Sequence, residues 1–111
     1  MQKKEFKVKQ TKPIVICIFE KSSMKEYINL QTILRSEGIS VEIYPGEGKL
    51  KKQMEYANKL GSPAVILYGD NEIKLGKATL KNLESGNESS VKIEELVNEI
   101  KKLLWQYNKS I

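Results

Sequence analysis

The chain has 111 residues, of which 40% are hydrophobic and 30% are charged, a balance typical of one folded domain with a modest core. It contains no histidine and one cysteine, Cys17, which excludes Ser-His and Cys-His nucleophile systems, histidine-ligated metals and an intramolecular disulfide. No apolar run approaches the about 20 residues of a membrane span, and no signal-peptide pattern follows Met1. We therefore expect a cytoplasmic protein that binds no membrane.

The positive charge is concentrated near the N-terminus. The formal net charge of the whole chain is +5. Residues 1–12 carry +4 of this, and the remaining 99 residues carry +1. We interpret residues 1–12 as a basic linker or arm that arrives from another domain and would also be attracted to phosphate. A nucleic-acid function therefore has to rest on a local patch.

The first half of the chain begins with a buried strand and a helix. Residues 13–19 are apolar and rich in β-branched side chains, which predicts a strand buried on both faces. Cys17 lies in this strand and is interpreted as a packed hydrophobe rather than a nucleophile. Ser23 and Glu26 match a capping box, which predicts a helix over residues 24–37.

A second strand and helix follow. Residues 39–44 alternate in polarity, which predicts a strand nearer the edge of the sheet. Residues 46–61 open with a glycine-containing turn and continue as a basic amphipathic helix that ends at Gly61. The predicted buried stripe of this helix consists of Leu50, Met54, Ala57 and Leu60.

The second half of the chain completes an α/β fold. Its predicted elements are a buried strand over 64–68, a helical turn over 72–76, a β-hairpin over 77–93 and a final helix over 94–107. The order β-α-β-α-β, then hairpin, then helix predicts a five-stranded mixed sheet with three main helices on its faces.

A binding surface is expected where the carboxyl ends of the strands meet. Three polar loops leave those ends, at residues 20–23, 45–49 and 69–72, and the second also opens a helix whose N-terminal amides favour an anion. The spacing of Gly46 to Leu50 is too short for a P-loop. A response-regulator receiver is disfavoured because its acidic residues do not match. The loops predict a surface without naming its ligand.

Four segments carry a family resemblance, in order and with family-like spacing: 34–42, 49–61, 69–72 and 76–83. From about residue 14 to residue 100 the chain resembles the C-terminal anticodon-binding domain of class II aminoacyl-tRNA synthetases, and the histidyl-tRNA synthetase version most closely. The resemblance assigns residues 13–111 to that domain. It implies a domain that grips the anticodon loop of a histidine-specific tRNA.

The resemblance also implies a set of RNA-binding residues. They are Glu47, Lys49, Gln53, Glu55, Tyr56, Glu72 and Lys81. Residue type adds Lys52 and Lys77 as further candidates for phosphate contacts. Lysines suit phosphates, glutamates accept from base N–H groups, and the Gln53 amide can donate and accept. Tyr56 either stacks on a base or closes the packing of helix against sheet, and Glu55 stands where relatives commonly have a basic residue. We expect these side chains to group at one end of the sheet.

Nothing in the chain resembles the class II catalytic motifs. The chain by itself is therefore expected to have no catalytic residues and to hold no metal or cofactor, because ATP and Mg would belong to an absent catalytic domain. The partners that the resemblance implies are tRNA, that catalytic domain, and a second subunit in a homodimer formed through the parent enzyme.

Two origins of the chain stay open at the level of sequence. It is either a C-terminal piece of a histidine–tRNA ligase, which the linker-like arm favours, or a free-standing, non-catalytic relative that binds a protein partner. An exposed Trp105 would favour the second. A small α/β enzyme is the least favoured function, because the chain has no nucleophile constellation.

Overall fold

The chain folds into a five-stranded mixed sheet with helices on both faces. The strands are β1 (Ile14–Cys17), β2 (Val41–Ile43), β3 (Ala64–Leu67), β4 (Lys77–Asn82) and β5 (Glu88–Lys92). The helices are α1 (Met24–Ser36), α2 (Leu50–Leu60), α3 (Asp70–Leu75) and α4 (Ile93–Lys109). This computed structural model describes residues 12–19, 23–46 and 48–109, with side chains described up to residue 105. The prediction for the arm therefore falls almost entirely outside the described residues.

The strand order across the sheet is β2-β1-β3-β4-β5. Strand β1 is parallel to β2 and β3, whereas β4 is antiparallel to both β3 and β5. The predicted fold class and order of elements are confirmed, including the edge position of the second strand. The predicted helical turn near residue 72 is α3, which begins at Asp70.

Alternating side chains of β1 are buried on opposite faces of the sheet. Ile14 and Ile16 join a large apolar cluster with α1 and α4, whereas Val15 and Cys17 join a smaller cluster with α2. All four side chains are fully buried. Helices α1 and α4 therefore cover one face of the sheet and α2 covers the other. Among the helices that the structure describes, none is long and apolar enough to cross a membrane.

Cys17 is buried among apolar side chains, and this burial raises the pKa of its thiol to about 12. At about pH 8 the native chain should therefore react with iodoacetamide far more slowly than the chain unfolded in guanidinium, because the thiolate is the nucleophile. A mass-spectrometric time course measures both rates, and equal rates would contradict the packed position. Because the folded pKa lies above the ordinary 9.0, this thiol's contribution to stability is complete below pH 9 and is lost as the pH rises towards 12.

The capping box predicted at the start of α1 does not form. Ser23 makes no side-chain cap hydrogen bond, and its hydroxyl instead donates to Oδ1 of Asp70 at 3.2 Å. The carboxylate that Ser23 reaches belongs to the first residue of α3. Ser23 therefore connects two loops that follow parallel strands, a contact that no local pattern in the sequence predicts.

The buried stripe predicted for α2 is correct at Ala57 but wrong at Leu50. Ala57 is fully buried, while Leu50 is 37% exposed and Gln53 is only 2% exposed. The reason lies in β1, whose last residue is Cys17. Ile18 follows the end of this strand, so its backbone N–H and carbonyl need other hydrogen-bond partners in the interior. The amide of Gln53 supplies them, whereas a leucine would not.

Candidate nucleic-acid interface

The carboxyl ends of the parallel strands β1, β2 and β3 lie at one edge of the sheet, here called the carboxyl edge. The antiparallel strand β4 begins at the same edge, because Thr79 lies opposite Leu67, the last residue of β3. Lys77 precedes Thr79 by two residues and lies opposite Lys92, the last residue of β5. The carboxyl edge therefore collects the loops after three strands together with two lysines from the hairpin.

Gln53 connects two of these loops through both ends of its amide. Its Oε1 accepts a hydrogen bond from the backbone N–H of Ile18 at 2.8 Å. Its Nε2 donates to the carbonyl oxygens of Ile18 at 2.8 Å and Gly48 at 3.2 Å. The expectation that this amide faces a base is not met, because its donors and acceptor are bound to the protein. Gln53 fixes the start of α2 against the end of β1.

Further hydrogen bonds hold the loops after β1 and β3. The Phe19 N–H donates to the hydroxyl of the buried Tyr27 at 3.0 Å. The Gly69 N–H donates to Oε1 of Glu72 at 3.1 Å, which is the half of a capping box that a glycine N-cap allows. Glu72 is partly exposed, and its carboxylate retains lone pairs that can accept from a ligand. It therefore caps its own helix and still faces the carboxyl edge.

The first turn of α2 presents exposed lysines and no acidic residue. Lys49 is the N-cap, in extended conformation, and its carbonyl accepts from the N–H groups of Lys52 and Gln53 at 3.0 and 3.2 Å. Gly48 has φ +144°, and a Cβ there would lie 3.0 Å from Cδ of Lys52. The turn thus needs glycine, whose absent side chain makes room for the stem of Lys52. The lysines and the positive end of the helix dipole favour an anion here.

Tyr56 is oriented by contacts within the protein. Its hydroxyl donates to the carboxylate of Glu42 on β2, and its ring packs edge-to-face on Tyr44 with centroids 5.3 Å apart. The hydrogen bond to Glu42, followed by burial, raises the pKa of Tyr56. Of the two interpretations of Tyr56, these contacts support packing of helix against sheet.

The structure does not place Lys81 with the other candidate side chains at one end of the sheet. Lys52 and Tyr56 are four residues apart and share the flank of α2 that faces β2. Lys81 lies on β4, opposite Val65 near the amino end of β3, and pairs with Glu88 at 3.5 Å. Strands β2 and β4 are separated by β1 and β3, so about 14 Å divides the two positions at ordinary strand spacing.

The candidates therefore fall into different surroundings. Lys49, Lys52, Glu72 and Lys77 lie around the carboxyl edge, and Lys81 lies on the sheet. Glu55 is exposed on α2, and Glu47 lies outside the described residues.

A polar sheet surface beside α2 was missed by the sequence reasoning. Ala78, Leu80 and Val91 of the hairpin are buried on the face covered by α1 and α4. The residues that alternate with them along β4 and β5 lie on the other face of the sheet, next to the strands that α2 covers. We call these residues the open face: Lys77, Thr79, Lys81, Glu88, Ser90 and Lys92. The signal that could have found it is the alternation of lysine and hydroxyl residues along both strands of the hairpin.

Among the residues that the structure describes, there is no group of three or more histidine, cysteine, aspartate or glutamate side chains that could hold a metal ion.

Comparison with known proteins identifies the fold and the family. A family model described as "Anticodon binding domain" matches residues 12–103. The histidine–tRNA ligase of Pelagibacter ubique is 37% identical over 94% of this chain, and that of Bacteroides fragilis strain YCH46 is 48% identical over 61% of it. The crystal structure of histidyl-tRNA synthetase from Nostoc superposes with a TM-score of 0.82 at 28% identity, covering 86% of this chain.

These relatives are much longer than the present chain. The chain spans 23% of the Pelagibacter ubique ligase and 23% of the Nostoc synthetase chain. The matched region is the anticodon-binding domain, so these 111 residues hold no catalytic domain of such a ligase. The parallel strands, the loops at the carboxyl edge and the matches to histidine–tRNA ligases agree: the chain belongs to the anticodon-binding domain family.

Proposed function

We propose that this domain binds the anticodon loop of a histidine-specific tRNA as part of a histidine–tRNA ligase. The observation that supports this most directly is the set of lysines around the carboxyl edge, beside the N-terminus of α2, in a chain of this family. Binding of ATP, Mg and histidine, and formation of the homodimer, would belong to other domains of the ligase. The ligase would act in the cytoplasm, where tRNA is charged.

Each residue type at the carboxyl edge has a distinct role in this proposal. Lys49, Lys52 and Lys77 bind phosphates, which supply affinity without sequence information. Glu72 accepts from the N–H groups of an unstacked base, whose Watson–Crick edge is open in the anticodon loop. Gln53 makes no direct contact with RNA and positions the first turn of α2.

A titration of the chain with two RNA hairpins tests the proposal. One carries the histidine anticodon loop, and the other has the same stem with a scrambled loop. At several salt concentrations we expect tighter binding of the histidine loop and a linear fall of log K with log salt. Equal affinity for both loops would leave only charge-driven binding, and no binding even at low salt would contradict the proposal.

Two substitutions should separate phosphate binding from base reading. Lys49→Ala should weaken both hairpins to a similar extent, because a phosphate contact carries no sequence information. Glu72→Gln retains an oxygen that can accept from Gly69 and should mainly reduce discrimination, by about 1–3 kcal/mol. Fluorescence anisotropy with both hairpins measures the two effects.

The matched controls for this comparison lie away from the carboxyl edge. Lys102→Ala on α4 and Glu84→Gln in the β4–β5 turn make the same charge changes at exposed positions. Both controls should bind each hairpin as the parent chain does. An unchanged loop preference in the Glu72→Gln variant would remove Glu72 from base reading.

A non-catalytic interaction domain is the second candidate, favoured by Trp105. Its side chain is 54% exposed on α4, and exposed tryptophans are common anchors of protein interfaces. Trp105 lies twelve residues after Ile93, the first residue of α4, which places it about 18 Å along the helix axis from the carboxyl edge. A partner bound there would leave the carboxyl edge accessible, so the hairpin titration separates the two candidates.

A further inference from the structure

The open face contains a pair of like charges, of which the proposed function uses only one member. Lys77 and Lys92 lie directly opposite each other on β4 and β5. Like charges at directly opposed positions of neighbouring strands destabilise a sheet. Within the part of the chain that the structure describes, neither lysine forms an ion pair, in contrast to Lys81, which pairs with Glu88 on the same face. The hairpin thus has an unfavourable pair at the carboxyl edge that an anion would neutralise.

The neighbouring positions of the open face suit a phosphate chain. Thr79 lies opposite Ser90. This pair of hydroxyl groups is therefore the next pair on the same face after the two lysines. Among the described residues, helix α2 makes its main contacts on this side with β1 and β3 rather than with the hairpin strands. Ser90 and Lys92 are exposed, and Lys77 and Thr79 are partly exposed. Lysine and hydroxyl side chains are the usual partners of backbone phosphates.

We infer that the open face is a second phosphate-binding surface, on which Lys77 and Lys92 together bind the backbone of the RNA held at the carboxyl edge. Thr79 and Ser90 donate hydrogen bonds to the adjoining phosphate oxygens. Lys77 belongs both to the carboxyl edge and to the open face, so one strand of RNA passes from the first turn of α2 onto β5. The inference rests on the proposed function and extends its interface to a strand that the family resemblance did not indicate.

The test measures RNA binding and folding stability of the same variants of the full chain. Lys92→Ala should weaken both RNA hairpins several-fold and reduce the slope of log K against log salt by about 1. Its unfolding midpoint in urea, which does not screen charges, should equal or exceed that of the parent chain, because the opposed like charge is gone. A lysine that only supported the fold would lower the midpoint.

The matched control is Lys102→Ala, which makes the same charge change on α4, on the other face of the sheet. If the parent chain binds RNA and Lys92→Ala behaves like Lys102→Ala in affinity and slope, the inference is overturned and the proposed function stands. If the parent chain binds neither hairpin at low salt, both are overturned. Binding of a polyglutamate peptide through Lys92, without binding of RNA, would assign the open face to an acidic protein instead.

Discussion

Replacing Gln53 by leucine should strongly destabilise the domain, although leucine is the residue that an apolar helix stripe would favour. The substitution leaves the N–H and carbonyl of Ile18 and the carbonyl of Gly48 without their partner. Each of the two Ile18 groups costs about 1–3 kcal/mol when it is left unpaired in the interior, whereas the exposed Gly48 can bind water. We expect a correspondingly lower free energy of unfolding in guanidinium titrations. Weaker binding of both RNA hairpins should accompany it, because the start of α2 is released from β1.

Two further variants determine how Gln53 acts. Glu55→Leu places the same residue at an exposed position of α2 and should change stability by no more than about 0.5 kcal/mol. Gln53→Glu retains the acceptor for Ile18 but loses its donors when ionised, so its stability should recover partly as the pH falls and the carboxyl group regains a proton. If Gln53→Leu unfolds like the parent and alters only loop discrimination, Gln53 reads a base.

Truncation of Tyr27 should have the second large effect. Tyr27 is fully buried, packs edge-to-face on Tyr68 with centroids 6.3 Å apart, and accepts from the Phe19 N–H. Tyr27→Ala should lower the free energy of unfolding by about 3–5 kcal/mol, as large-to-small changes of buried aromatic residues do. Chemical denaturation measures this loss.

The conservative change isolates the hydroxyl of the same residue. Tyr27→Phe keeps the ring and should lower stability by about 0.5–1.5 kcal/mol, with faster amide hydrogen exchange at Phe19. Ile28→Ala is the control, since the neighbouring Ile28 is 48% exposed on α1. An unchanged exchange rate at Phe19 in the Tyr27→Phe variant would show that the hydroxyl does not hold the loop after β1.

The elements of the fold follow from local patterns in the sequence. The apolar run at residues 13–19 and the alternation at 39–44 distinguish a central strand from an edge strand, because a central parallel strand is buried on both faces. The two strands occupy those positions in the sheet. Helix periodicity likewise predicted α1, α2 and α4, whose bounds differ from the predicted ones at their terminal residues.

The arrangement of the candidate site could be predicted only in part. Sequence order places Lys49 at the N-cap of α2 and Glu72 in the first turn of α3, since both positions depend only on the neighbouring residues of the chain. The position of Lys81 depends on the register of β4 against β3, which no local pattern specifies. It was therefore expected at the carboxyl edge and lies instead towards the amino end of β3.

The sequence by itself determined the fold class and the identity of the loops at the carboxyl edge, because periodicity and turn residues act over a few positions. The family was indicated by a resemblance carried by four segments of the chain. Only the tertiary structure decided that the Gln53 amide hydrogen-bonds the backbone of Ile18 and that the Ser23 hydroxyl donates to Asp70. It also decided that Lys92 opposes Lys77 on the open face of the sheet. Each of these contacts is between residues far apart in the chain. Strand register and the unpaired backbone groups at strand ends determine which residues meet.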